Sequence, residues 1–228
     1  AKTDRFLTKL YEAESNMRTF FVLDSSSSMF YPNEDSGKWE RTVQVITLIA
    51  SLLQKQRDAL GLFEVNDAAA QFFESSNKEE NIQLLLQNIR GLQECQIGNE
   101  IFLDQLETLH SRLPKRSQIL IFTDIYHEDV AALVQSLSKF KHTNHHVRLI
   151  LMYSEQFEID GKGLSGHQVI DHETGKKTYL TEEEVRRYTN FCKEQLSTLE
   201  LTSRGAGISI DALNVDEDPI VLLRKLLA

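Results

Sequence analysis

Five short and almost unbroken apolar runs, separated by longer segments of helical periodicity, constrain this chain more than any other feature. The runs lie at 20–23, 59–65, 119–122, 147–152 and 208–210. Runs of this length, rich in Val, Ile, Leu and Phe without polar alternation, fit strands buried on both faces of a parallel sheet. Between them the apolar residues recur every three or four positions, which predicts helices. Over 39–56 the stripe is Val43, Ile46, Ile49 and Leu53. Over 79–90 it is Ile82, Leu85, Leu86 and Ile89, with Gly91 as the stop. Helices are likewise expected over 101–113, 130–140 and 182–204, the last stopped by Gly205. Asp218 and Pro219 read as the N-cap and first-turn proline of a final helix.

Two segments break the alternation. The run 68–74 follows the second strand after only Asn66 and Asp67, which predicts an antiparallel edge strand. Residues 168–180 enclose Glu173-Thr174-Gly175 and predict a second hairpin. The expected fold class is therefore α/β, a doubly wound and mostly parallel sheet with helices on both faces. No linker rich in Pro, Gly or Ser divides the 228 residues. The expectation is one domain over 1–228, with a lead-in strand segment at 1–18 and an insertion at 154–180. The chain opens Ala1-Lys2-Thr3 without a methionine, so a fragment of a longer protein is expected.

Composition removes several functions. The formal net charge is −9 and no basic stripe is present, which disfavours nucleic acid and anionic membrane as partners. A cation or a basic protein surface suits the chain better. No apolar stretch reaches the ~18 residues of a membrane span, and the start has no signal-peptide pattern. Two cysteines, Cys95 and Cys192, with no CxxC pair build neither a disulfide framework nor a zinc site. A cytoplasmic location is expected. The seven histidines lack HExxH spacing, and most of them read as solvated or capping residues. There is no Gly-x-Ser-x-Gly elbow, Walker loop or Rossmann glycine fingerprint. No clear nucleophile or general base emerges, and the expectation is a protein that is not an enzyme.

In open α/β sheets, ligands bind beyond the carboxyl ends of the strands. The first strand ends in Asp24-Ser25-Ser26-Ser27-Ser28, and the third run, which is the fourth strand once the edge strand is counted, in Thr123-Asp124. Asp24, Ser26 and Ser28 stand two apart, so in an extended loop they point the same way. Two carboxylates and two or three hydroxyls at one point make a hard-oxygen site, the chemistry of Mg2+ or Mn2+. The plainer reading is a serine-rich turn with Asp24 as a helix cap. Met29, Phe30 and Tyr31 follow at once and offer apolar surface to a partner. Trp39, at the start of the first helix, reads as packing for the loop 29–38.

The stretch FFVLDSSSSM (20–29) resembles the first strand and metal-ion-dependent adhesion site (MIDAS) of von Willebrand factor A (vWA)-like domains. More narrowly, it resembles the bacterial vWA-like family of unknown function associated with MoxR-type AAA+ ATPases. RFLTKLYEAE (5–14), GKWE (37–40), FTD (122–124) and DHETG (171–175) fit that family in order and spacing. The resemblance implies six strands in the order 3-2-1-4-5-6. It implies Ser26 and Ser28 as direct ligands of a divalent cation, with Asp24 and Asp124 holding it directly or through water. A carboxylate from a protein partner, such as a MoxR-like ATPase or its client, would complete the shell. Asn99 stands where the family offers a threonine, and Glu100 follows it. Two other readings stay open: a metal-free scaffold with a degenerate site, and a metal-dependent phosphatase or hydrolase.

Overall fold

A computed structural model describes residues 17–31, 37–67, 70–95, 98–164, 168–170 and 177–227. The lead-in motif at 5–14 and the DHETG motif at 171–175 lie outside the described residues.

The central strand is β1 (Arg18–Asp24). It is flanked in parallel by β2 (Ala59–Val65) and β4 (Ser117–Thr123), with Phe21 opposite both Leu62 and Leu120. β3 (Gln71–Ser76) runs antiparallel along the outer side of β2. On the other side lie β5 (His146–Tyr153) and β8 (Ser209–Asn214), both parallel. The order β3-β2-β1-β4-β5-β8 is 3-2-1-4-5-6 when the strands of this sheet alone are counted. A separate hairpin pairs β6 (Gln168–Ile170) with β7 (Lys177–Tyr179). The edge strand starts later than the 68–74 run predicted, since the antiparallel pairing with β2 begins at Gln71.

Strand parity sorts the core into two layers, because successive side chains leave a strand on opposite faces. Phe21, Leu23, Leu60, Leu62, Leu120 and Phe122 pack beneath α1 (Lys38–Lys55), α2 (Glu79–Gly91) and α6 (Pro219–Leu227). Val22, Phe63, Val65, Ile119 and Ile121 pack against α3 (Asn99–Arg112), α4 (Val130–His142) and α5 (Glu182–Gly205). This double coverage is why the runs carry no polar alternation.

Three helices, α4, α5 and α6, start with ordinary side-chain caps, whereas α1, α2 and α3 start without one. Asp129 accepts from Ala132 N at 2.9 Å before α4. Thr181 and Glu184 form a reciprocal capping box before α5. Asp218 accepts from Ile220 N at 2.8 Å before α6, as expected. The glycine stops are corrected by one step. Gly91 and Gly205 are the last helical residues, and Gly207 (φ +66°) takes the left-handed turn after α5. Among the described residues, no helix is long and apolar enough to cross a membrane.

Candidate functional site at the ends of two strands

Register brings Asp24 and Asp124 together. Leu23 lies opposite Phe122, so the ends of β1 and β4 meet, with Asp24 closing one strand and Asp124 just past the other. The two carboxylates are used in parallel fashion. Asp24 Oδ1 accepts from Ser26 N at 2.9 Å, and Asp124 Oδ1 accepts from Tyr126 N at 2.8 Å. Each holds the amide two residues on, an Asx-turn that folds the following loop back over the strand end.

After Asp24 the chain stays extended for Ser26 and then tightens into a 3-10 turn over Ser27–Phe30. The extended loop expected through Ser28 is therefore replaced by a turn. Ser26 Oγ and Ser28 Oγ still converge, 3.1 Å apart. Ser25 points away and donates to Val65 O at 2.6 Å. Its carbonyl accepts from Cys95 N at 2.8 Å, and Ser27 N donates to Cys95 O at 3.1 Å. A two-sided backbone clamp thus fixes the serine loop against the segment before α3.

Asp24, Ser26 and Ser28 line one small cavity of about 130 Å³, together with Gly98, Phe102, Tyr126, His127 and Glu128. Asp124 is 1% exposed and lies behind this wall. Its Oδ2 has no hydrogen-bond partner among the described residues. Burial, followed by repulsion from Asp124, raises the Asp24 carboxyl above its ordinary range; donors at Thr123 and Ser26 oppose that rise. Asp24, Ser26 and Ser28 bring hard-oxygen groups to the cavity wall, and Asp124 does not line it. Among the described residues there is no group of three or more His, Cys, Asp or Glu that could hold a metal ion. Asn99 opens α3 beside Gly98 of the cavity wall, and its side chain is outside the described part of the structure.

The three expected partner-facing residues divide. Met29 is fully buried in the layer under α1, so its side chain offers no surface; the 3-10 turn rolls it inward. Phe30 is half-buried and stacks on Trp39 at 4.9 Å, which confirms the packing role of Trp39. Tyr31 is half-buried and meets the Phe157 ring edge-on at 6.0 Å. Burial and the nearby Glu158 push its phenol up to about 12.

Four residues at the site escaped the sequence reading. His127 is 5% exposed rather than solvated, and its Nε2 lies 3.0 Å from Thr123 Oγ1. Tyr126 hydrogen-bonds Tyr188 and lies 3.6 Å from Cys192 Sγ. Lys38 is fully buried, and its Nζ donates to Glu158 Oε1 at 2.7 Å. The sequence carried one signal for this pair: a lysine in the first turn of a helix opposes the macrodipole and needs a local reason. Glu158 sits on a five-residue π-turn, Glu155–Ile159, which no residue pattern announces.

A family model described as "Protein of unknown function DUF58" matches residues 1–197. No curated protein matches the chain. Among solved structures, the chain is similar to the conserved hypothetical protein BatB from Bacteroides thetaiotaomicron. That likeness has a TM-score of 0.57 at 11% identity and covers 92% of this chain and 97% of that one. It is also similar to an aerotolerance-related membrane protein from Bacteroides fragilis, with a TM-score of 0.58 at 10% identity, covering 92% and 98%. The SpRpn10 VWA domain gives a TM-score of 0.53 at 14% identity, covering 92% and 93%. At these identities the likeness concerns the fold, which is vWA-like.

Proposed function

We propose that this chain, which belongs to the DUF58 family, is a non-catalytic interaction module that holds Mg2+ or Mn2+ at the ends of β1 and β4. The cation would in turn hold a carboxylate of a protein partner. The observation that carries the reading is the convergence of Asp24, Ser26 and Ser28 on one small polar cavity, with Asp124 buried behind it.

The residues fit such an ion. The donors are all oxygen, as hard divalent cations prefer. Asp124 Oδ2 is buried without a hydrogen bond, a cost that a cation offsets. Burial, and then the nearby Asp124 carboxylate, disfavour the ionised form of Asp24, and a divalent charge offsets both. Asp24, Ser26 and Ser28 would hold the ion, Asp124 would supply the second buried negative charge, and Asn99 would lie at the rim.

Charge supports a bridging role. A chain of net charge −9 repels an acidic partner unless a cation lies between them. The vWA-like fold supports an interaction role over a catalytic one. The family resemblance extends this to a MoxR-type AAA+ ATPase, or a client handled with it, as the partner that presents the carboxylate. A metal-free scaffold is the second reading. It is favoured by Lys38, whose Nζ lies 3.7 Å from Asp124 Oδ2 and already gives that carboxylate a cation.

Thermal unfolding of wild type and Asp24→Ala, in EDTA and then in millimolar Mn2+, tests the proposal. A ligand that binds only the folded state adds RT ln(1 + [L]/Kd), about 2.7 kcal/mol at a hundredfold excess over Kd. The expected result is a rise in the wild type that vanishes in Asp24→Ala. No rise in the wild type moves the function to the metal-free scaffold.

A further inference from the structure

Lysine is among the residues least often fully buried, and Lys38 has no exposure at all. Its ammonium sits between two carboxylates on different elements. On one side Nζ donates to Glu158 Oε1 at 2.7 Å; on the other, Asp124 Oδ2 lies 3.7 Å away. The rings of Tyr126 and Tyr31 flank it, with centroids 4.8 and 6.0 Å from Nζ. Glu158 is held in turn, since its Oε2 accepts from Ser154 N at 2.6 Å. The Ser154 hydroxyl is anchored to Asp216 at 3.0 Å. None of these groups except Tyr126 lines the strand-end cavity.

Resting on the reading of that cavity as a divalent-cation site, the geometry points to Lys38 and Glu158 as an internal charge pair that sets the site's affinity for the cation. Asp24, Asp124, Glu158 and Lys38 are all buried; Lys38 bridges Glu158 and Asp124, and Asp124 in turn repels Asp24. Three carboxylates and one ammonium leave two negative charges, which a divalent ion cancels. In a buried cluster such charges are screened far less than at a surface, so a change at one end is felt at the other. Glu158 never reaches the cavity, yet it determines how much of the Lys38 charge is left to compete with the metal for Asp124. A pair that served packing alone would alter stability and leave cation affinity where it was.

The test is the dissociation constant for Mn2+, measured by calorimetry on the whole chain at one pH. The variants are Glu158→Gln, Lys38→Met and the double variant Lys38→Met/Glu158→Gln. Unfolding in EDTA is recorded alongside, so that only folded proteins are compared. Neutralising Glu158 leaves the ammonium facing Asp124 alone, and binding weakens by about tenfold. Removing Lys38 adds a negative charge, and binding tightens by a similar factor. The double variant restores the original net charge and returns to within about threefold of wild type. Lys38→Met strands a buried carboxylate and is the variant most exposed to misfolding, so Glu158→Gln and the double variant decide the matter if it does. Wild-type binding that Glu158→Gln leaves unchanged overturns the charge pair and leaves the cation site standing. No Mn2+ binding in the wild type or any variant overturns both.

Discussion

Thr123 Oγ1 lies 2.6 Å from Asp24 Oδ2, and this hydroxyl ties the end of β4 to the end of β1. The same oxygen lies 3.0 Å from His127 Nε2. A hydroxyl has one proton to give, and an ionised carboxylate can only accept. Thr123 donates its proton to Asp24, and the same oxygen faces His127 Nε2. Thr123→Val keeps the shape and removes the donor. It is expected to destabilise the fold by about 1–3 kcal/mol, the cost of stranding a buried acceptor. Urea unfolding in EDTA reads this. Thr123→Ser, which keeps the hydroxyl, should lie close to wild type, and a Val variant as stable as Ser would remove the tie.

Met29 follows the serine loop and yet belongs to the core. It is fully buried under α1 with Leu23 and Trp39. Met29→Ala should cost about 2–5 kcal/mol of stability, as large-to-small core changes do. Chemical denaturation measures the loss. A change under about 0.5 kcal/mol, the range of surface substitutions, would return Met29 to the surface.

The sheet was legible in the sequence because burial on both faces of a parallel sheet removes most polar breaks from its central strands. FFVL and ILIF could be read as central strands from composition alone, and β1 and β4 are neighbours. Asp24, Ser26 and Ser28 were legible for the same reason, since they come at once after such a run. Met29 was misread because the side-chain direction after Ser26 depends on the 3-10 turn, which is set by the distant Cys95 clamp rather than by local pattern. Lys38 and Glu158 were invisible for a deeper reason. They are 120 residues apart, and only the packing of the Glu155–Ile159 turn against the start of α1 makes them partners.

Gly61 sits in the middle of β2, where glycine ordinarily weakens a strand. The Phe20 ring of the neighbouring strand fills the space a side chain would take. A Cβ at residue 61 would lie 2.4 Å from Phe20 Cε1 and 3.0 Å from the Phe73 carbonyl oxygen. Phe20 is itself stacked on Phe72 at 5.5 Å and has little room to retreat. Gly61→Ala should therefore destabilise the fold by about 1–3 kcal/mol through overpacking. Urea unfolding checks this, and the companion Phe20→Leu should restore part of the loss in the double variant. Equal stability of Gly61→Ala and wild type would show that Phe20 moves freely.

His145 gives the chain a pH dependence remote from the strand-end site. Its Nδ1 accepts from the buried amide of Ser117 at 3.2 Å, and its ring lies 6.4 Å from that of His110. Burial, then the charge of His110, lowers its pKa below the ordinary 6.5. In the unfolded chain the imidazole takes up a proton near 6.5; in the folded chain it does so only at lower pH. The unfolded state thus binds more protons in that window, so stability rises with pH through it. The contribution is complete above 6.5 and is lost as pH falls through the depressed folded value. Each unit of separation between the two values is worth about 1.4 kcal/mol. His145→Asn keeps an acceptor for Ser117 N and removes the titration. Urea unfolding from pH 7.5 down to 5 should show a downward slope in wild type that flattens in the variant. Parallel curves would assign the slope to other groups and leave His145 an ordinary packed ring.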